Sequence, residues 1–196
     1  MIDDVAQDAL FRHARSHNGW LDREVSTEQI HALYELLKWG PTSVNCSPAR
    51  FLFLRTPLAR ERLRPHLAAG NVEKAMSAPV VVVVGYDLAF YEKVPQLFPH
   101  RPQAGAAFEG PQNQAHAEQT AFRNGSLQGA YLMLAARALG LDCGPMSGFD
   151  AAGVDATFWP GTQVKTNFLC GLGHGDPQRL FARLPRLTFD EACAIQ

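Results

Sequence analysis

The groups able to hold an anion and a flat polar ring are scattered along this chain rather than gathered in one motif. Arg15, Ser16 and His17 stand in a row ahead of Asn18, Gly19 and Trp20. Thr42, Ser43 and Asn45 fill the stretch PTSVNCSP, braced by Pro41 and Pro48. Asn71 and Lys74 are spaced as neighbours on one face of a helical turn. GPMSGF at 144–149 offers backbone N–H groups beside glycines that allow close approach. Arg183 and Arg186 flank Leu184 and Pro185. Charge-assisted arginine bonds suit a phosphate dianion. A ligand with a phosphate at one end and a planar polar ring at the other would use all of these groups. Each also has a plainer reading. A lone arginine makes a surface ion pair, and the 41–48 stretch caps backbone groups between a helix and a strand. Asn71 and Lys74 would equally suit a solvated helix turn.

The common catalytic signatures are absent: there is no H-E-x-x-H, no G-x-S-x-G and no G-x-x-x-x-G-K-[ST]. GLGHGD at 171–176 approaches a dinucleotide fingerprint, but Asp176 holds the third glycine position and no βαβ unit has room to follow. His174 in that loop has the residue type of a general acid, and equally that of an ordinary loop residue. Cys46, Cys143, Cys170 and Cys193 form no C-x-x-C pair, which argues against a zinc site and against a disulfide framework. No metal is expected. A net charge of −1 offers no broad attraction to nucleic acid or to an anionic membrane. The first residues carry acids where a secretory signal carries bases, and the longest apolar run, APVVVVVGY at 78–86, is too short to span a bilayer. A reduced, cytoplasmic protein is expected, with the cysteines serving as small core residues.

The elements that must position these groups follow from periodicity. STEQIHALYELLKWG (26–40) opens on a cap and carries Ile30, Leu33, Leu36 and Leu37 at helical spacing, with Gly40 as its stop. ARFLFLR (49–55) predicts a strand and PLARERLRPHL (57–67) a short amphipathic helix. PVVVVVGY (79–86) is β-branched on both faces, as a strand covered on both sides requires. Residues 87–116, rich in Pro, Gly, Gln and Phe, read as a mobile flap or a segment that covers a partner. Residues 117–142 predict a long, central, buried helix, and CGPMSGFD (143–150) a turn-forming loop. VDATFWPG (154–161) reads as a short helix or turn, and 165–176 as a strand running into a glycine loop. The apolar tail from 178 is mostly extended, with a possible last helical turn, and has nothing evident in its own chain to pack against. With 196 residues, 46% of them hydrophobic, the chain suits one domain, residues 1–196, of α+β or three-layer α/β type around a modest sheet.

Four stretches together, RSHNGW (15–20), KWGPTSVNCSPAR (38–50), LGLDCGPMSGFD (139–150) and ARLPRLTFDEA (182–192), resemble the flavin-dependent nitroreductase family almost end to end. The closest resemblance is to the branch containing the malonic semialdehyde reductase of pyrimidine breakdown. The resemblance implies an α+β, three-layer α/β/α fold with a mixed, mainly antiparallel sheet and an extended C-terminal arm. It also implies an intertwined homodimer with FMN at the subunit interface, and NADH or NADPH as hydride donor. Arg15 and Arg183 would then hold the FMN phosphate, with Ser16 and His17 beside it. Gly19 stands where a basic residue is common. Pro41, Thr42, Ser43, Asn45 and Ser47 would line the ribityl chain and ring edge, Ser47 replacing a usual glutamine. Asn71 and Lys74 would lie at the pyrimidine edge, where a cation stabilises the charge that hydride addition creates. Pro145, Met146, Ser147 and Gly148 would reach N5 through main-chain N–H. No side chain is cast as acid or base, since the flavin carries the chemistry. The acceptor implied is malonic semialdehyde, reduced to 3-hydroxypropanoate. The alternatives are nitroaromatics or quinones, or a flavin-binding dimer without turnover. His100 and Arg101 in the 87–116 segment could meet a 2′-phosphate.

Overall fold

In the computed structural model, which describes residues 1–196, four strands form one sheet in the order β1-β2-β4-β3. They are β1 (Ala49–Leu54), β2 (Val80–Asp87), β3 (Asp142–Met146) and β4 (Val164–Gly173). All three strand pairings are antiparallel, and the one parallel contact is an isolated bridge between Ser16 and Cys143. The valine run explains the layers. Along β2 successive side chains point to opposite faces. Val80, Val82 and Val84 enter one core with Leu33, Leu37 and Leu132, while Val81 and Val83 enter a second core with Leu54, Leu63, Ala75 and Val154. All five valines are fully buried. Helices α2 (Thr27–Leu37) and α6 (Gln114–Ala138) therefore cover one face. Helices α3 (Pro57–Leu63), α4 (Ala69–Met76) and α7 (Ala151–Phe158) cover the other.

The helix expected at 26–40 is α2, and its capping box is complete. Ser26 Oγ accepts from the Gln29 N–H at 3.2 Å, and Gln29 Oε1 accepts from the Ser26 N–H at 2.9 Å. The long helix starts three residues earlier than the pattern suggested and ends at Ala138 rather than at 142. Gly140 takes φ +71, the left-handed turn that closes a helix and that glycine adopts without strain. The next residues enter β3, so the reading of 143–150 as a loop was wrong over its first half. Gly144 and Pro145 argued for a turn, but β3 is an edge strand, where a proline has no ladder bond to lose.

Residues 87–116 are not an unstructured flap. They run through short helical turns at Phe90–Lys93, Pro102–Phe108 and Pro111–Asn113, with α5 (Val94–Leu97) between the first two. Phe90, Val94 and Phe108 pack with Tyr86, Cys46, Ala117 and Ala121 into a third apolar cluster. Phe90 and Phe108 meet edge-to-face at 5.0 Å. The N-terminus begins with α1 (Asp4–Gln7), which continues into a π turn at Asp8–Arg12. The C-terminal arm is extended from Leu180 to Thr188 and closes with α8 (Phe189–Ala192). Its Phe181, Leu184, Leu187, Phe189 and Ile195 are all exposed.

A methyl group on Gly144 would collide with the His17 carbonyl and the Lys74 side chain. Gly144→Ala should therefore lose about 1–3 kcal/mol of stability through overpacking, read as an earlier denaturation midpoint. An unchanged midpoint would mean that residues 15–17 do not press on β3.

Candidate functional site

Residues 15–17 join the sheet at its β3 edge. Ser16 bridges Cys143, and the His17 N–H donates to the Cys143 carbonyl at 2.9 Å. This joint carries Arg15 to the wall of a cavity of about 640 Å³. Arg15, Ser16, Arg137, Arg183 and Arg186 line it, together with Phe11 and Phe181. No acid lies in the wall, and none of the four arginines pairs with a carboxylate. They are held by carbonyls instead. Arg15 donates to Phe181, Arg183 to Ala14 at 3.0 Å, Arg137 to Leu10 at 2.9 Å, and Arg186 to Leu184 and Pro185. The reciprocal bonds between 14–15 and 181–183 tie the C-terminal arm to the N-terminal segment. A cluster of guanidiniums without counter-ions is a receptor for a dianion such as phosphate.

The same joint brings up a second group. Lys74 Nζ donates to the Pro145 carbonyl at 3.0 Å, and Asn71 Nδ2 to the Gly148 carbonyl at 2.9 Å. Both come from α4, which is thus fastened to β3 and the turn after it. Burial lowers the Lys74 pKa from the usual lysine value, and no carboxylate offsets its charge. Ser147 is exposed, the Met146 side chain is spent in the second core, and the Pro145, Ser147 and Gly148 carbonyls accept from Lys74, Phe149 and Asn71. The plain reading of Asn71 and Lys74 as a solvated turn therefore fails: both are partly buried and bonded across to the β3 end.

His17 departs from expectation. Its ring is buried, and Nε2 faces Asp142 Oδ1 at 3.3 Å rather than the arginine cavity. Gly175 fits tightly against the ring, and its N–H donates to Asp142 Oδ2 at 2.8 Å. His17 thus anchors the strand joint from behind. His174 is likewise outside the cavity, with burial holding its pKa below the usual value. The space at Gly19 is filled by the Arg179 side chain, which is paired with Glu73 and so adds no free charge.

Thr42, Ser43, Asn45 and Ser47 do not line the arginine cavity. Their loop sits against α6 and α5. Asn124 Oδ1 accepts from the Ser43 N–H at 2.9 Å, Tyr131 donates to the Pro41 carbonyl at 2.9 Å, and Asn45 donates to the Leu97 carbonyl at 2.8 Å. Thr42 Oγ1 accepts from the Ser47 N–H at 3.1 Å, and Gln128 Oε1 from the Ala49 N–H at 2.8 Å. Val44, Asn45 and Ser47 all have positive φ, at 47, 51 and 39°. Each such residue costs on the order of 1–3 kcal/mol and persists only where its surroundings dictate it. Prolines alone do not hold this loop; the buried Asn124 and Gln128 do. Sequence reading missed them, although two amides four apart on the apolar face of a helix are the signal of a backbone partner.

The profile of the nitroreductase family matches residues 12–174. A protein of Cupriavidus pinatubonensis with the provisional name NADH dehydrogenase/NAD(P)H nitroreductase is 60% identical over 188 residues, 96% of either chain. HadB of Ralstonia pickettii, under the same provisional name, is 56% identical over 195 residues and the full length of both. Among solved structures, a nitroreductase-like protein of Bacillus subtilis superposes with a TM-score of 0.88 at 21% identity, covering 99% of this chain and 100% of its own. One from Exiguobacterium sibiricum, solved in complex with FMN, gives 0.85 at 18% identity, with coverage of 100% and 99%. These likenesses bear out the α+β nitroreductase fold. No helix is long and apolar enough to cross a membrane.

The clasp behind the site titrates. Burial raises the Asp142 carboxyl, but the bonds from His17 and from the Gly175 N–H outweigh it and leave the group below its usual value. A lowered folded-state pKa adds stability that is present above the unfolded value, about 4, and is lost as pH falls through the folded one. Asp142→Asn should melt earlier than the parent at neutral pH and lose less on acidification below about pH 4. Parallel pH–melting curves would exclude the clasp.

Proposed function

This chain belongs to the nitroreductase family, and we propose that it is an FMN-dependent NAD(P)H oxidoreductase. The observation that carries the reading is the cavity of four arginines without a carboxylate, joined through β3 to Lys74 and to the 145–148 main chain. These residues fit FMN: a wall of uncompensated guanidiniums for a phosphate dianion, and a partly buried ammonium near the exposed Ser147 for a polar ring. Arg15 and Arg183 would hold the phosphate, each kept in place by the other's segment. Lys74 would hold positive charge against the ring, where its partial burial strengthens the interaction. Asn71 keeps the 145–148 turn fixed from behind. Bound there, the flavin would supply hydride transfer between a reduced nicotinamide and an acceptor.

The 41–47 loop lies apart from this cavity in its own chain, and in the reading it serves the site of a second copy. Exposed Trp39, Leu36 and Tyr34 on the α2 side, Phe122 and Leu127 on α6, and the apolar arm supply the surface of a homodimer. The buried free thiols of Cys46, Cys143 and Cys170 suit a reducing cytoplasm.

For the acceptor, the names of the relatives favour nitro compounds, with quinones as chemical kin. Malonic semialdehyde is the narrower reading, supported by the resemblance of the four sequence stretches. Turnover of the purified protein on each acceptor, with NADH and with NADPH, decides among them. Anaerobic bleaching of the yellow protein by either nicotinamide is the expected sign of an enzyme. Persistent colour would leave a flavin-binding protein without turnover.

Two substitutions test the residues. Arg15→Ala should weaken FMN by about 1.5–3 kcal/mol, roughly 10- to 150-fold in Kd, and equal retention through dialysis would remove Arg15 from the site. Lys74→Ala should slow flavin reduction in stopped flow by a larger factor than it weakens FMN. A parent-like reduction rate would reduce Lys74 to a fastener of β3.

A further inference from the structure

Arg137 is the cation of the cavity to which neither the motifs nor the flavin reading gives a task. It stands in the last turn of α6, where the negative end of the helix offsets part of its charge. Its Nη1 donates to the Leu10 carbonyl at 2.9 Å, its Nε–H is buried without a partner, and no carboxylate pairs with it. A carbonyl orients a guanidinium but does not cancel its charge, and a partly buried charge left unbalanced is destabilising. The same holds for Arg15, which is partly buried like Arg137, and with more water for Arg183 and Arg186 on the same wall. Of the four, Arg137 is the one whose Nε–H is buried without a partner, so it has most to gain from an anion in the cavity, where solvent screens its field little.

We propose, resting on the flavin reading above, that Arg137 is a fourth member of the phosphate subsite and sets a preference for phosphorylated over unphosphorylated flavin. Its contribution is charge and fork together: the guanidinium makes charge-assisted bonds to the phosphate and leaves the ring unaffected. A purely structural Arg137, serving only to pin Leu10 and the N-terminal segment, would weaken both flavins alike.

The test titrates cofactor-free protein with FMN and with riboflavin, following flavin fluorescence, for the parent, Arg137→Met and Arg137→Lys. Methionine keeps the apolar stem of the side chain and removes the charge. The Met variant should raise the FMN Kd about tenfold or more and shift riboflavin by less than about twofold, with Lys recovering part of the FMN affinity. Parallel weakening of both flavins, or no change in either, overturns the proposal. If the Met variant does not fold, the Lys variant decides. Loss of the guanidinium fork should weaken FMN severalfold relative to riboflavin, and an unchanged ratio overturns the inference. A parent protein that takes up neither flavin overturns the flavin reading itself, and this inference with it.

Discussion

The hydrogen bond from the His17 amide to the Cys143 carbonyl, with the Ser16 bridge beside it, is the joint on which the site hangs. It annexes an N-terminal segment to the free edge of β3. Arg15 is thereby brought to the cavity wall and Lys74 to the Pro145 carbonyl of the same strand, though 59 positions separate them in the chain. The joint is possible because Gly144 lacks a side chain where His17 and Lys74 converge. The clasp of His17, Asp142 and Gly175 locks it from the side away from the cavity. A displaced joint would move Arg15 and, through the bonds between 14–15 and 181–183, Arg183 with it.

Electrostatic imbalance is the second organising fact. Elsewhere some arginines meet acids, as Arg12 does with Asp4 and Asp8, Arg50 with Asp87 and Arg64 with Glu61, and others, such as Arg60 and Arg62, bond carbonyls instead. At the cavity the unpaired arginines are gathered together. Folding has left four guanidiniums facing one volume and bonded only to main chain. Proteins keep such local conflicts where function requires them. The strained 43–47 loop is a second conflict of this kind: three left-handed residues, with the backbone on either side, at Ser43 and Ala49, bonded to amides of a neighbouring helix.

Much of this was legible in the order of residues. The valine run announced a strand between two cores, and the Ser26–Gln29 box announced α2, because both signals are local. Arg15, Ser16 and Arg183 could be grouped by chemistry, and they do share a wall. The failures have a common physical source. Gly144 and Pro145 look like a turn unless one knows that their strand lies at the sheet edge. His17 beside Arg15 looks like a ligand unless one knows that the fold sets Asp142 and Gly175 against its ring. Arg137 sits in a long helix with no local mark of function, and only the fold brings the N- and C-terminal segments to it. The helical turns of 87–116 gave no period because 3₁₀ turns bury single aromatics rather than a stripe.

The reciprocal ties between 14–15 and 181–183 make the arm a wall of the cavity as well as a tail. During synthesis that wall emerges after every other part of the receptor has been made. Half-made chains on the ribosome thus lack the closed pocket, even if the sheet has already formed. In the flavin reading proposed above, a chain lacking the arm would lack Arg183 and one wall of its phosphate site.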